Sequence, residues 1–313
     1  MKGLDLSELY YRELCAPMLE RSFPDLAGRV AAGLAGEGSE CLGFDDEVSR
    51  DHDWGAAVCL WLLERDFAES GQALQDALRR LPRTVRGHPV REEEGRAAGR
   101  SGVLEIGRFY FRHLGLRQAP DTPSQWLAIP EERLATATSG AVFADPAGEF
   151  TRIREQLLAY YPEDVRRKKL AARCAAMAQA GQYNFPRCAA RREYVAASLA
   201  EAAFVTAACS AAFLLNRRYK PFYKWAHRAL LGLPVLGPQL HAALAALAAT
   251  PGDPAQAARD KAERIEGICA TVAGELVRQG LSDAQGDFLM EHGLSVQNGI
   301  RDVAIRNIDV LLG

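Results

Sequence analysis

Two short runs carry residue types whose order could hold a metal–phosphate complex. An apolar run, Val30 to Ala35, ends in Gly36-Glu37-Gly38-Ser39; after a polar stretch, Asp51-His52-Asp53 leads into a second apolar run, Ala56 to Leu63. On a strand, residues i and i+2 share a face about 7 Å apart, so Asp51 and Asp53 would present two carboxylates at a spacing that suits a pair of divalent cations. Gly38 lets the backbone come close to a ligand, and the Ser39 hydroxyl and neighbouring amides can donate to phosphate oxygens. Carboxylates alone repel a polyphosphate; with Mg²⁺ between them they hold it. Each part alone is common, since a lone Asp-x-Asp is most often a solvated turn or helix cap. Only their order makes the pattern specific.

The second half of the chain holds an opposite charge. From Arg166 to Arg228 there are thirteen Lys or Arg and two acids, Glu193 and Glu201, whereas from Glu37 to Asp53 there are seven acids and one base, Arg50. Arg166 to Lys169 reads as a solvated helix face. In Asn216-Arg217-Arg218-Tyr219-Lys220-Pro221-Phe222-Tyr223-Lys224-Trp225, aromatic rings alternate with cations and an amide. Rings can stack on a base and Lys224 can neutralise phosphate as a compact point charge, although a Pro-kinked helix start with buried aromatics has the same composition. Gln182-Tyr183-Asn184 could hydrogen-bond a base or ribose, or simply close a helix. The six histidines show no metal-ligand spacing, and neither a Walker-type loop nor a G-x-G-x-x-G is present.

The elements that must position these residues are of two textures. Short apolar runs, Val30 to Ala35, Ala56 to Leu63, Thr84 to Val90 and Val103 to Ile106, surround a helical pattern from Phe67 to Leu81. A Pro-rich stretch from Asp121 to Asp145 reads as a connection with one short helix, Pro130 to Ala137. Beyond it, helical periodicity dominates: Phe150 to Tyr160, Glu163 to Ala180, Arg191 to Leu215, Tyr219 to Leu231, Leu236 to Ala249, Pro254 to Gln279 and Ser282 to Leu311. The expected fold class is α+β: a small mixed-sheet domain over residues 1–145, followed by an all-α helical bundle over residues 146–313.

Composition bounds the partners. The 313 residues carry 38 Lys+Arg against 40 Asp+Glu, a formal net charge of −2, with 48% hydrophobic and 25% charged residues. These values exclude a disordered or collagen-like chain and argue against a dedicated nucleic-acid binder. Seven scattered cysteines without a C-x-x-C read as reduced thiols, which, with no signal-peptide core at the N-terminus, makes a cytoplasmic protein the expectation. The apolar run Val195 to Leu215 is Ala-rich, carries Glu201, and reads as a buried bundle helix, so no membrane partner is expected.

The pattern resembles the nucleotidyltransferase superfamily with a DNA polymerase β-like palm. Its signature is an apolar run ending in Gly-Ser or Gly-Gly, an acid-x-acid on the next strand, and a third acid on a later strand. Gly38-Ser39 and Asp51/Asp53 match the first two parts, and Glu105, in Val103-Leu104-Glu105-Ile106, is the candidate for the third; Glu92, Glu93 and Glu94 sit in a charged run that reads as a loop. A catalytic domain followed by a bundle resembles the antibiotic nucleotidyltransferases, such as the kanamycin and lincosamide enzymes. Gly-Glu-Gly-Ser-Glu-Cys, Ser-Arg-Asp-His-Asp-Trp-Gly, Ala-Gln-Ala-Gly-Gln-Tyr-Asn and Leu-Asn-Arg-Arg-Tyr-Lys-Pro-Phe-Tyr-Lys-Trp resemble a bacterial branch carrying a domain of unknown function. His52, Trp54 and Gly55 depart from the continuous apolar strand that usually follows the acid pair.

The resemblance implies two Mg²⁺ ions on Asp51, Asp53 and Glu105. It also implies a nucleoside triphosphate held by Gly38, Ser39, Tyr183, Asn184, Asn216, Tyr219 and Lys224, the last lying across a cleft from the acids. The implied reaction is transfer of AMP from ATP to a hydroxyl of a small molecule, with release of pyrophosphate. A protein- or RNA-modifying AMP transferase of toxin–antitoxin type and a nucleotide-binding regulatory module are the alternatives.

Overall fold

The computed structural model describes residues 1–50, 54–91 and 99–313, in two compact units. The first unit comprises Met1–Pro120 and Arg133–Ala159, and the second Asp121–Glu132 and Tyr160–Gly313. The fold is α+β.

The first unit opens with α1 (Gly3–Tyr10), which runs through a π turn (Tyr11–Cys15) into α2 (Ala16–Ser22), followed by the single turn α3 (Pro24–Ala27). A four-stranded mixed sheet follows in the order β5-β2-β1-β6, with β1 (Ala31–Leu34), β2 (Cys59–Leu62), β5 (Gly102–Glu105) and β6 (Ala141–Ala144). β1 is antiparallel to β2 and β6, while β2 is parallel to β5. A parallel pair requires a crossover. Here it is α4 (Glu64–Arg79) and a small hairpin, β3 (Thr84–Val85) and β4 (His88–Pro89).

Alternation along the sheet divides its faces. Val58, Leu60 and Leu62 pack with Leu6 and Tyr10 of α1 and Leu74 and Leu78 of α4. Trp61 points the other way, stacking on Phe150 at 3.8 Å and meeting Phe109 edge-on at 5.5 Å. Phe109 belongs to α5 (Ile106–Leu114) and Phe150 to α8 (Glu149–Leu158). The Pro-rich connection holds more structure than its composition predicts: α6 (Pro123–Ala128), α7 (Glu131–Thr138) and the edge strand β6. Thr122 and Gln125 form a full capping box at the start of α6.

The expected boundary at residue 145 is displaced in two places. Helix α8 belongs to the first unit, because Phe150 fills the sheet face and the Arg154 guanidinium donates to the carbonyls of Thr138 and Gly140. Residues 121–132 belong to the second, because Trp126 packs edge-on against Tyr161, and Lys169 donates to the carbonyls of Leu127 and Ile129.

The second unit is helical. α9 (Glu163–Met177) continues through a π segment (Ala178–Asn184) into α10 (Phe185–Ala190), α11 (Tyr194–Leu215), α12 (Tyr223–Ala229), α13 (Gly237–Ala248), α14 (Pro254–Arg278), α15 (Leu289–Asn298) and the short α16 (Val303–Arg306). α9 packs on both α11 and α15. Pro221 delays the start of α12, and the stretch from Ser282 to Leu311 forms two separate helices rather than one. Among the described residues, α11 is long and apolar enough to cross a membrane by composition, with mean hydropathy 1.7 over its most apolar stretch. Its second half, Ala207 to Leu215, is buried in the bundle, whereas Val195 and Leu199 in its first half are exposed.

Candidate functional site

The turn after β1 is the best-built part of the expected site. Gly36 and Gly38 have φ of +112° and +135°, a backbone region that side chains rarely adopt, and a Cβ on Gly38 would stand 2.6 Å from the Glu40 carboxylate. The Ser139 hydroxyl fixes the turn by donating to the Gly36 carbonyl at 2.8 Å and accepting from the Gly36 amide at 3.3 Å. The Ser39 carbonyl accepts from the amides of Leu42 and Phe44. Both glycines thus sit in a turn whose backbone calls for them, with Ser39 beside them.

The antiparallel register of β1 and β2 fixes which end of β2 lies beside this turn. Gly33 is opposite Cys59, so the exit of β1 and the entry of β2 are neighbours. The entry is pinned to the hairpin, since the Ala56 amide donates to the Pro89 carbonyl and the Arg91 amide to the Ala56 carbonyl. Trp54, just before it, meets His88 edge-on at 5.5 Å. Asp51 and Asp53 lie outside the described residues, as do Glu92, Glu93 and Glu94.

Glu105 is not brought to the turn. It pairs with Leu62 at the far end of β2, three residue steps or about 10 Å beyond Cys59 and Gly33, before the chain has reached Gly36. Its carboxylate is also fully engaged: it caps α5 by accepting from the Gly107 amide at 2.8 Å and takes both oxygens to the Arg117 guanidinium at 2.9 Å. Arg108 approaches it at 3.4 Å. A strand-borne acid flanked by apolar residues can end its strand by starting a helix, and that is the role of Glu105.

Three other acids of the window, Glu37, Glu40 and Asp45, are held locally, whereas Asp46 and Glu47 are exposed. Glu40 is buried and accepts from Arg91 at 2.6 Å; Glu37 pairs with Arg100 at 3.0 Å; Asp45 is buried and accepts from the Gly3 amide at 2.8 Å. Among the described residues no three His, Cys, Asp or Glu side chains are placed to hold a metal ion. Cys41, beside Glu40, is held as the thiol, since burial and then the Glu40 charge push its pKa well above the usual value. His113 packs edge-on against Phe109 near Gly36. Burial, followed by the Arg112 charge, lowers its pKa to about 4.

In the second unit the expected nucleotide contacts have separate surroundings. The Asn216 side chain spans the loop before α13, donating to the Val235 carbonyl and accepting from its amide, both at 2.8 Å, which uses the amide structurally. Tyr219 packs among Tyr160 and Tyr161, with ring centroids 4.9 and 5.1 Å away, and burial pushes its phenol pKa up. Lys224 is exposed over the Trp225 ring at 5.1 Å, next to an exposed Tyr223. Tyr183 is half-exposed with Arg187 stacked on it at 4.4 Å, and Asn184 closes the π segment.

Arg166 to Lys169 is the clearest departure from expectation. Arg166, Lys168 and Lys169 are buried rather than solvated. Arg166 donates to the Leu214 carbonyl, Glu163 and Gln279, tying α9 to α11 and to the residue that ends α14. Lys168 donates to Gln297 and to the carbonyls of Ile308 and Asp309. Near Lys169 a buried polar group missed from sequence appears: the Glu131 carboxylate accepts from the Ser210 hydroxyl at 2.6 Å, with Tyr161 nearby. The available signal was local. Val165 and Leu170-Ala171-Ala172 enclose the basic run on both sides, which a solvated face does not show.

Comparison with known proteins adds a coarse frame. A family model described as a domain of unknown function (DUF4037) matches residues 126–226, within which lie the buried cations of α9, the Tyr219 cluster and Lys224. No match was found among curated proteins. The chain is similar to a solved nucleotidyltransferase-like protein from Exiguobacterium sibiricum 255-15, at 12% identity and a TM-score of 0.39, over 91% of this chain and 89% of that one.

Proposed function

We propose that the protein is a Mg²⁺-dependent nucleotidyltransferase that transfers a nucleoside monophosphate, AMP from ATP, to a hydroxyl of a small molecule. The observation that carries this reading is the turn after β1: two glycines at positive φ with Ser39, at the sheet end where the chain bearing Asp51 and Asp53 enters β2. The donors are all oxygen, the set that Mg²⁺ prefers. Glu37 and Glu40 are held by arginines and Asp45 by the Gly3 amide, and the metal role is assigned to Asp51 and Asp53, the pair that the resemblance implies. Bound there, Mg²⁺ neutralises the triphosphate and favours loss of the acceptor's proton.

The chain's own residues do the rest. The Gly38 backbone and Ser39 hydroxyl orient the phosphates for in-line attack by the acceptor oxygen on the α-phosphorus, and the bond to pyrophosphate breaks. Glu105, the third carboxylate that the resemblance implies, is engaged by Arg117 and the Gly107 amide and would have to leave them to reach the metal. The proton of the attacking hydroxyl passes to a carboxylate of the site or to water. Lys224, exposed on its helix, is the candidate cation for the leaving pyrophosphate.

The test is pyrophosphate release from ATP and Mg²⁺ across a panel of hydroxyl acceptors, with Asp51→Asn and Asp53→Asn compared by circular dichroism for folding. Both variants are expected to fold and to lose turnover by a factor of about 100 or more, as expected for loss of a preorganised charge. Unchanged turnover in either variant overturns the reading. Label transferred to a protein or RNA replaces the small-molecule acceptor with a macromolecular one.

A further inference from the structure

A cavity of about 390 Å³ lies in the first unit beneath α4, away from the aromatic face of the sheet. Its floor is Ala57 and Val58 at the entry of β2 and Ser101 just before β5; its walls come from the last turns of α4 and from the hairpin. Three arginines line it, Arg79, Arg83 and Arg91, and among the described residues none of its lining side chains is an acid. The opposite half is apolar, with Leu78, Val58 and Val90.

The three arginines are incompletely partnered. Arg83 makes no side-chain hydrogen bond or ion pair among the described residues; its backbone carbonyl fastens the hairpin by accepting from the Val90 amide at 2.8 Å. Arg79 has only a loose pair with Asp76, at 3.8 Å on the surface. The Arg91 side chain is nearly buried: one terminal nitrogen donates to Glu40, while its Nε is enclosed with no acceptor among the described residues. Guanidinium groups short of acceptors beside a cavity are donors that an anionic ligand can satisfy.

We infer that this cavity is a binding site for a small organic phosphate, its phosphate taken by Arg79, Arg83 and Arg91 and its apolar body resting on Val58, Leu78 and Val90. Forked guanidinium donors match phosphate oxygens in pairs, and a cavity of this volume suits a small molecule. The cavity's own residues carry the inference, which does not rest on the proposed metal site. A link exists all the same: Arg91 holds the Glu40 carboxylate that packs against Gly38, so a phosphate drawing on Arg91 acts on the Gly-Ser turn.

The experiment is isothermal titration of the full chain with inorganic phosphate and with glycerol 3-phosphate, in phosphate-free buffer containing EDTA to silence any metal-dependent site. Succinate serves as a carboxylate control. Both phosphates are expected to bind, the ester more tightly, and the double substitution Arg79→Ala with Arg83→Ala is expected to weaken binding at least tenfold. Arg83→Lys, which keeps the charge without the fork, should fall between the two. Failure of both phosphates to bind, unchanged affinity in a folded double variant, or preference for succinate each overturns the proposal. Because no metal or turnover is involved, failure of the nucleotidyltransferase reading leaves this result standing.

Discussion

At the scale of single residues, Glu105 shows how a carboxylate's partners determine what it can do. It is buried at the end of β5, receives the Gly107 amide and Arg117, and so closes a strand and opens a helix with one side chain. Glu105→Gln keeps the shape and removes the charge. Arg117 remains partly exposed and can be solvated, so the expected loss is about 1–3 kcal/mol in urea unfolding, with turnover of the folded protein retained. Loss of turnover at full stability would return Glu105 to the metal site. His113 gives a pH signature of the same unit. Its folded pKa of about 4 lies below its ordinary value of 6.5, because burial penalises the imidazolium. The neutral form therefore stabilises the fold fully above pH 6.5, and the contribution disappears as the pH falls through 4. The expected loss is on the order of 3 kcal/mol, read as a steeper fall of Tm between pH 6.5 and 4 in the wild type than in His113→Leu. Parallel curves would show that the histidine is protonated at little cost.

At the scale of elements, what was legible in the sequence is what local patterning dictates. The all-buried strands Ala31–Leu34 and Cys59–Leu62 and the amphipathic α4 follow from apolar runs and helical spacing. β6 was not legible: Ala141 to Ala144 is half-buried, lies at the sheet edge, and sits behind prolines that read as a connection. Its pairing with β1 is set by tertiary context. Arg166 to Lys169 is misleading for a related reason, since a basic tetrad taken by itself has the composition of a solvated face and only its apolar flanks point inward. α9 is the central helix of its unit, and three of its four consecutive cations reach carbonyls or side chains on or beside neighbouring elements. The same limit applies to the candidate site. The Gly-Ser turn could be read from its glycines because positive φ leaves a sequence mark. The strand register that separates Glu105 from that turn leaves none. Asn216 and Tyr219 look like ligand contacts in sequence because amides and phenols bind ligands and loops with the same donors and acceptors. Only the Val235 backbone and the Tyr160–Tyr161 rings distinguish the two uses here.

At the scale of the whole molecule, the near-zero net charge covers two different situations. The acids between Glu37 and Asp45 are matched one by one within the first unit, and the buried cations of α9 are matched within the second, so these members of the two clusters are satisfied inside their own units. The chain path matters more than the charge. It leaves the first unit at Pro120, contributes residues 121–132 to the second, returns at Arg133 and leaves again at Ala159. A division at residue 145, where composition changes, therefore cuts through the first unit. A fragment of residues 1–145 retains β6 but loses Phe150, whose ring covers Trp61, and Arg154, which holds the Thr138 and Gly140 carbonyls. A fragment of residues 1–159 retains all of them. Removing a buried phenylalanine costs about 3–5 kcal/mol, a large part of a domain's stability, so urea unfolding should show the shorter fragment molten or unfolded and the longer one cooperative. The complementary fragment 160–313 lacks Trp126, Glu131 and the carbonyls of Leu127 and Ile129, leaving the buried Lys169 ammonium without these acceptors. It is expected to unfold at lower urea than the second unit does in the full chain, and Lys169→Met should recover part of the difference. Equal stability of fragments 1–145 and 1–159 would show that α8 is dispensable to the first unit.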